Sequence, residues 1–288
     1  MMKFIYGRVR RLHLKNRLFE IKVKGIVAYF YLTRSQMKQF NAYLQEGLFV
    51  HLSCHEKKVR HGWVNAYEVI NFIKMIKPSH HKTTVYFDLE TIKKGVQRVI
   101  NKKGYRMFLD LEFSMPPYIN QAGKDFNAEI VQYGFYLENE KGQVILKEDS
   151  LVRPILPNAL NARTCNFLNL KPSHFKEAIS YKVFYRRLKY LIGKYQPIMY
   201  VWGKNDIIIL EKSYYINKVQ PITNRMNFVN LMQIMKNYFG IKTDIGLFNA
   251  FHYFDEDSPL EQTHNALSDA LVMLHVYQSF KKFINSFE

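Results

Sequence analysis

The sequence predicts an α/β protein of mixed sheets in two parts: a small basic β-barrel over residues 1–78 and a larger α/β domain over residues 105–288, joined by a linker and helix over 79–104. Three observations predict it. The first 78 residues alternate apolar and polar side chains in strand fashion around a single helical stretch. From Met107 onward, short apolar strand runs are followed by stretches of helical periodicity. Charge is lopsided, because residues 1–78 hold 15 Lys and Arg against 4 Asp and Glu, a formal +11 out of +18 for the chain.

Within the barrel region, Phe19, Ile21 and Val23 alternate with charged residues, and Gly25 separates them from a second run at Ile26–Leu32. Ser35 is placed to cap a helix carrying Met37, Phe40 and Leu44 at helical spacing, with Gly47 as its stop. Leu48, Val50, Leu52 and Cys54 alternate again, and 62–76 supplies one more extended segment. Three strands, a helix and two strands is the order of an OB-like barrel, and an SH3-like barrel would show much the same pattern. His51, Cys54, His55 and His61 have the residue types of a zinc site, but they lack the paired spacing such sites use.

Residues 78–84 are polar and read as the linker. Asp88 and Glu90 then form an Asp-x-Glu pair at the start of a helix marked by Ile92, Val96, Val99 and Ile100, where acids favour the positive end of the dipole. A second Asp-x-Glu pair, Asp110 and Glu112, ends a longer apolar run. Strands follow at 128–137 and 143–152, a helix around 175–193, a strand at Ile198–Trp202, and a helix starting near Asp206. A short strand running into a helix occupies 226–239, a polar loop extends to Gln262, and a last helix runs over 266–284 with Leu267, Ala270, Leu271, Leu274 and Tyr277 on one face.

The 48% hydrophobic content is ample for packed cores at 288 residues. Cys54 and Cys165, the only cysteines, fall in different parts, so no disulfide framework is expected. Residues 1–11 carry no apolar signal core, and no run approaches membrane-spanning length, so no membrane partner is expected and a cytoplasmic setting fits. The excess of positive charge, interleaved with Tyr, Phe and His, points to a polyanionic partner, nucleic acid first.

The chemistry concentrates in four carboxylates. Two acids two residues apart in Met107-Phe108-Leu109-Asp110-Leu111-Glu112-Phe113-Ser114 share one strand face, a costly arrangement unless a cation sits between them. Asp206 follows in Val201-Trp202-Gly203-Lys204-Asn205-Asp206, and Asp269 in His264-Asn265-Ala266-Leu267-Ser268-Asp269. Asp-x-Glu, a lone Asp and His-x4-Asp, in that order, resemble the ligand set of the DEDDh 3′–5′ exonucleases of RNase H-like fold. The continuation Phe113-Ser114-Met115-Pro116 is most similar to the KapD-like branch, itself similar to ERI-type exoribonucleases. The resemblance covers residues 105–288.

It implies two Mg²⁺ or Mn²⁺ ions held by Asp110, Glu112, Asp206 and Asp269, with His264 as the general base. Hard oxygen ligands favour those ions over zinc, and a histidine ionises near neutrality. Two positions depart from the family pattern. Phe113 stands where many relatives have a small residue or Thr, and Asn230 where an acid is frequent. Phe113 and Met115 are candidates to stack on the terminal bases, with plain core packing as the alternative. The expected function is metal-dependent 3′–5′ degradation of single-stranded nucleic acid from its 3′ end to 5′-mononucleotides, RNA preferred over DNA. A polymerase-associated proofreading exonuclease and a non-catalytic binding module on a nuclease scaffold are the alternatives.

Overall fold

The computed structural model describes residues 2–23, 25–79, 82–118, 126–255 and 263–286, which form two compact units. The first comprises Met1–Val96 with Asn237–Lys242. Its strands are β1 (Met2–His13), β2 (Leu18–Val23), β3 (Ile26–Tyr31), β4 (Phe49–His61), β5 (Val64–Lys77) and β6 (Thr84–Asp88), in the order β3-β2-β1-β4-β5-β6. A parallel pairing of β3 with β5 closes the first five into a barrel, leaving β6 as an added strand. Helix α1 (Arg34–Phe40) lies between β3 and β4 in sequence. This is the small closed barrel that the element order implied.

Inward-facing Phe19, Ile21, Phe30, Leu52, Phe72 and Met75 fill the barrel, and Phe40 packs against them from α1. The cap of α1 is Thr33, not Ser35. Its hydroxyl accepts the Gln36 N–H while the Gln36 carboxamide accepts the Thr33 N–H, a reciprocal box that Ser35 has no partner to make. Gln36 also donates to the carbonyls of Val69 and Ile70, fastening the helix to β5. Beyond Pro78 the chain returns to the barrel as β6, antiparallel to β5, and the unit continues to Val96. Tyr86 and Phe87 drive that return, since both pack against the barrel core. Asp88 then caps α2 (Leu89–Ile100), its Oδ1 accepting the N–H groups of Glu90 and Thr91, while its other oxygen pairs with Lys74 at 3.0 Å.

The second unit comprises Gln97–Lys236 and Thr243–Glu288. In chain order its elements are β7 (Arg106–Phe113), β8 (Ile130–Glu138), β9 (Val144–Arg153), α3 (Ala162–Leu168), β10 (Ile179–Ser180), α4 (Tyr181–Tyr195), β11 (Ile198–Val201), α5 (Asn205–Ile216), β12 (Phe228–Asn230), α6 (Leu231–Phe239), α7 (Leu247–Phe254) and α8 (Ala266–Asn285). The sheet order is β10-β9-β8-β7-β11-β12, antiparallel through β7, β8 and β9, with β11 and β12 parallel to β7. Alternation along β7 sends Met107, Leu109 and Leu111 into a core shared with Phe184 and Leu188 of α4 and Leu210 of α5. Phe108 points the other way, to Tyr277 of α8 with ring centroids 5.1 Å apart. Asp110 and Glu112 continue the Phe108 face.

Two short helices, α3 and α7, go beyond the expected pattern, and α4 begins at Tyr181 instead of near 175. The segment before α4 is a 3₁₀ turn and the two-residue strand β10. Within the stretch read as a polar loop, α7 buries Leu247, Phe248, Ala250 and Phe251; the rest of that loop, 256–262, lies outside the described residues. No helix among the described residues is long and apolar enough to cross a membrane.

Candidate active site

Strand β7 delivers the first two acids. Asp110 lies opposite Gly134 on β8 and Glu112 opposite Gln132. A Cβ at 134 would collide with the backbone of Ala266 and Leu267, so glycine is what lets the first turn of α8 sit directly on the sheet beside Asp110. Asn265 caps α8, its Oδ1 accepting the N–H groups of Leu267 and Ser268 at 3.1 Å each, and the Gln132 Oε1 accepts the Ala266 N–H at 3.4 Å. Asp269 then projects from that first turn. One oxygen from each of Asp110, Glu112 and Asp269 lies within 4.8 Å of the others.

Asp206 arrives from α5. Gly203, at φ +91°, turns the chain out of β11, and its N–H is held by the Asn230 Oδ1 at 3.1 Å. Asn230 also caps α6 by accepting the Gln233 N–H, so an amide at this position fixes the turn. Asp206 is buried, and its Oδ1 accepts the backbone N–H of Leu111, between the two acids of β7.

Burial raises all four carboxyls, and repulsion from neighbouring acids adds to it at Asp110, Glu112 and Asp206. Asp110 is pushed well above the usual range by desolvation, then by Asp206, Glu112 and Asp269. Desolvation with Asp269 and Asp206 pushes Glu112 up to about 7, desolvation pushes Asp269 up to about 6, and Asp206 rises chiefly for the same reason. Among the described residues no Lys or Arg pairs with any of the four. The buried Asp269 Oδ1 has no hydrogen-bond partner there. An orphaned carboxylate oxygen beside two further acids is the donor set that suits a divalent cation.

His264 stands on the approach to α8 with left-handed backbone, φ +48°, and its ring lies 4.0 Å from that of Phe167 on α3. It is not one of the residues whose ligand atoms converge on Asp110, Glu112 and Asp269. Phe113 packs against the core beneath the sheet. Met115 is half-buried and clamped by α3: its N–H donates to the Thr164 hydroxyl at 2.9 Å, and its carbonyl accepts from the Asn161 Nδ2 at 2.6 Å. Gly134, Gln132, Asn265, Asn161 and Thr164 are the positioning residues that sequence reasoning missed. A glycine inside a strand and an Asn before an apolar helix are the signals that could have found two of them.

In the barrel unit, the zinc-type residues are not gathered. Cys54 is buried in the core, His51 stacks on Tyr6 with centroids 3.8 Å apart, and the His61 Nε2 meets the Asn16 carbonyl. Aromatic rings cluster instead: Trp63, 52% exposed, is packed edge-on by Tyr29 at 5.4 Å and His13 at 5.6 Å, and Tyr31 stacks on His61 at 4.3 Å.

No family model and no curated protein matches the sequence. Solved structures do match in fold. The chain is similar to a full-length 3′-exonuclease, with a TM-score of 0.54 at 13% identity, over 63% of this chain and 83% of that one. It is similar to CRN-4, a cell-death related nuclease, with a TM-score of 0.51 at 16% identity, over 64% of each chain. It is also similar to the nuclease domain of 3′hExo, described as a DEDDh family member bound to rAMP, with a TM-score of 0.54 at 13% identity, over 62% of this chain and 93% of that one. Carboxylates converging near the end of a central strand thus sit in a chain that is similar in fold to solved 3′-exonucleases, one of them described as a DEDDh family member.

Proposed function

We propose that the protein is a two-metal 3′–5′ exonuclease that degrades single-stranded nucleic acid, RNA in preference to DNA, to 5′-mononucleotides. The convergence of Asp110, Glu112 and Asp269, with buried Asp206 beside them and no basic residue paired with them among the described residues, carries this reading. These four residues would hold two Mg²⁺ or Mn²⁺ ions, which when bound neutralise charge on the phosphodiester and ease ionisation of the attacking water. The four acids reject a nucleic acid phosphate until such charge is supplied, which ties substrate entry to metal loading. His264, which stands on the approach to α8, would take the proton of the attacking water. Met115, half-buried three residues along from Glu112, would bear on the terminal bases, whereas Phe113 belongs to the core beneath the sheet. The basic barrel would grip the strand, with Trp63 and Tyr29 among its stacking rings. The preference for RNA rests on the resemblance to ERI-type enzymes.

The test is incubation with 3′-blocked and 5′-blocked RNA and DNA oligonucleotides in Mg²⁺ or Mn²⁺. A 3′ block should protect and a 5′ block should not, with 5′-mononucleotides released. Equal digestion of 3′-blocked substrate, or activity that survives chelation, overturns the assignment.

A further inference from the structure

On the outer wall where β1 meets β4, apolar side chains are exposed in a row. Phe4 is 55% and Tyr6 59% exposed, neighbours on one face of β1, with Met2 at 49% before them and Phe49 at 39% on the facing strand. The register places Tyr6 opposite His51 and Arg8 opposite Phe49, so the rings form one stripe across two strands. Tyr6 and His51 are stacked, and the His51 ring is tilted 6.0 Å from Phe4. Burial pushes the His51 imidazole below its usual range, and its Nε2 is buried without a hydrogen-bond partner among the described residues. The imidazole therefore extends the π surface as a neutral ring. Cations bracket the stripe: Arg8 and Arg10 are exposed at one end and Lys57 at the other, while Lys58 lies over the Tyr67 ring.

A core side chain has no business on an outer wall, and an exposed apolar row of this kind marks a binding surface. The cations that continue the stripe call for a polyanionic occupant. A second copy of the chain is disfavoured by the +11 carried by residues 1–78. Rings interleaved with cations on an extended backbone match the alternation of bases and phosphates in a single strand.

We propose that this β1–β4 wall is a stacking platform for unpaired bases, on which Phe4, Tyr6 and Phe49 present ring faces while Arg8 and Arg10 contact the backbone phosphates. The platform rests on the reading of the substrate as single-stranded nucleic acid. Its rings are other than those gathered at Trp63, and so add stacking faces for the strand to follow. Because the rings are exposed, removing them leaves the barrel core untouched.

The experiment uses the full chain carrying Asp110→Asn, in chelator, so that the probe is not consumed. Binding of a labelled oligouridylate of about 12 nucleotides, within the usual site-size range, is followed by anisotropy across a salt series. Phe4→Ala/Tyr6→Ala should raise Kd by about 10²-fold, the scale of two lost base stacks, with the salt slope unchanged. Arg8→Gln/Arg10→Gln should instead reduce the slope by about 1 to 2. A double ring variant that binds within about 2-fold of its parent at every salt concentration overturns the platform, since one stack alone is worth more than that. An equal loss on a blunt duplex overturns it too, because duplex bases offer no face to the rings. If wild type fails to cleave while the ring variant still loses binding, the platform stands and the exonuclease reading falls.

Discussion

Asp269 has an oxygen buried without a hydrogen-bond partner, and it sits beside two further acids whose protons are held more tightly than in water. Folded-state values near 7 for Glu112 and 6 for Asp269 exceed those of the unfolded chain. The native state therefore keeps protons that the unfolded state has released, and stability falls as pH rises from about 4 to about 7. In chelator, Tm should drop between about pH 4 and about pH 7, and Mg²⁺ or Mn²⁺ should restore it more at the higher pH. A Tm independent of both refutes the cluster's electrostatics. Asp110→Asn should abolish turnover yet raise the apo Tm, by roughly 2–4 °C if about 1 kcal/mol of repulsion is relieved. Glu112→Gln should be inactive and Glu90→Gln near wild type, since Glu90 lies in the first turn of α2, where Asp88 is the cap. His264→Ala should lose about 10²-fold in turnover, the scale of a general base. At this scale the sequence was informative, because two acids on one strand face and a lone acid after a glycine turn need a reason that packing cannot supply. The packing of the His264 ring against Phe167 was not legible, since it joins residues 97 positions apart through tertiary packing alone.

Among the elements, α8 depends on a void as much as on its own side chains. Gly134→Ala would place a methyl group against the backbone of Ala266 and Leu267, which cannot rotate away as a side chain could. The expected cost is about 1–3 kcal/mol of stability, with activity lost even where the protein stays folded, because Asp269 leaves its seat. Gly193→Ala is the control: it lies inside α4 with nothing within 4 Å of a new Cβ, and should stabilise by about 0.5–1 kcal/mol. Thermal melts and turnover of the two variants check both statements. Long periodic elements such as α8 and β7 were readable because their apolar spacing repeats. Helices α3 and α7 and strand β6 are too short for a period to establish itself, and each is held by partners distant in sequence, as Asn161 of the α3 cap holds Met115.

Across the whole molecule, charge and chemistry are segregated: the cations concentrate in the barrel unit and the converging acids in the other. KM for long single strands should therefore rise steeply with salt while kcat changes little, and a dinucleotide substrate should lack that dependence. A salt-insensitive KM on long strands would deny the barrel its role as the grip. The division into a barrel and a second mixed sheet was legible from strand order and charge. The reach of the first unit to Val96 was not, because it depends on what β6 finds to cover. The seat of α8 at Gly134 carries one more consequence. Asp110 and Asp269 are separated by 159 positions, and the later one is delivered only when its helix docks. On the proposed reading, a chain still emerging from the ribosome, with Asp110, Glu112 and Asp206 but without Asp269, would be inert toward single-stranded nucleic acid. The same helix, lifted from its seat by local unfolding, would return the finished protein to that harmless state without disturbing the rest of the sheet.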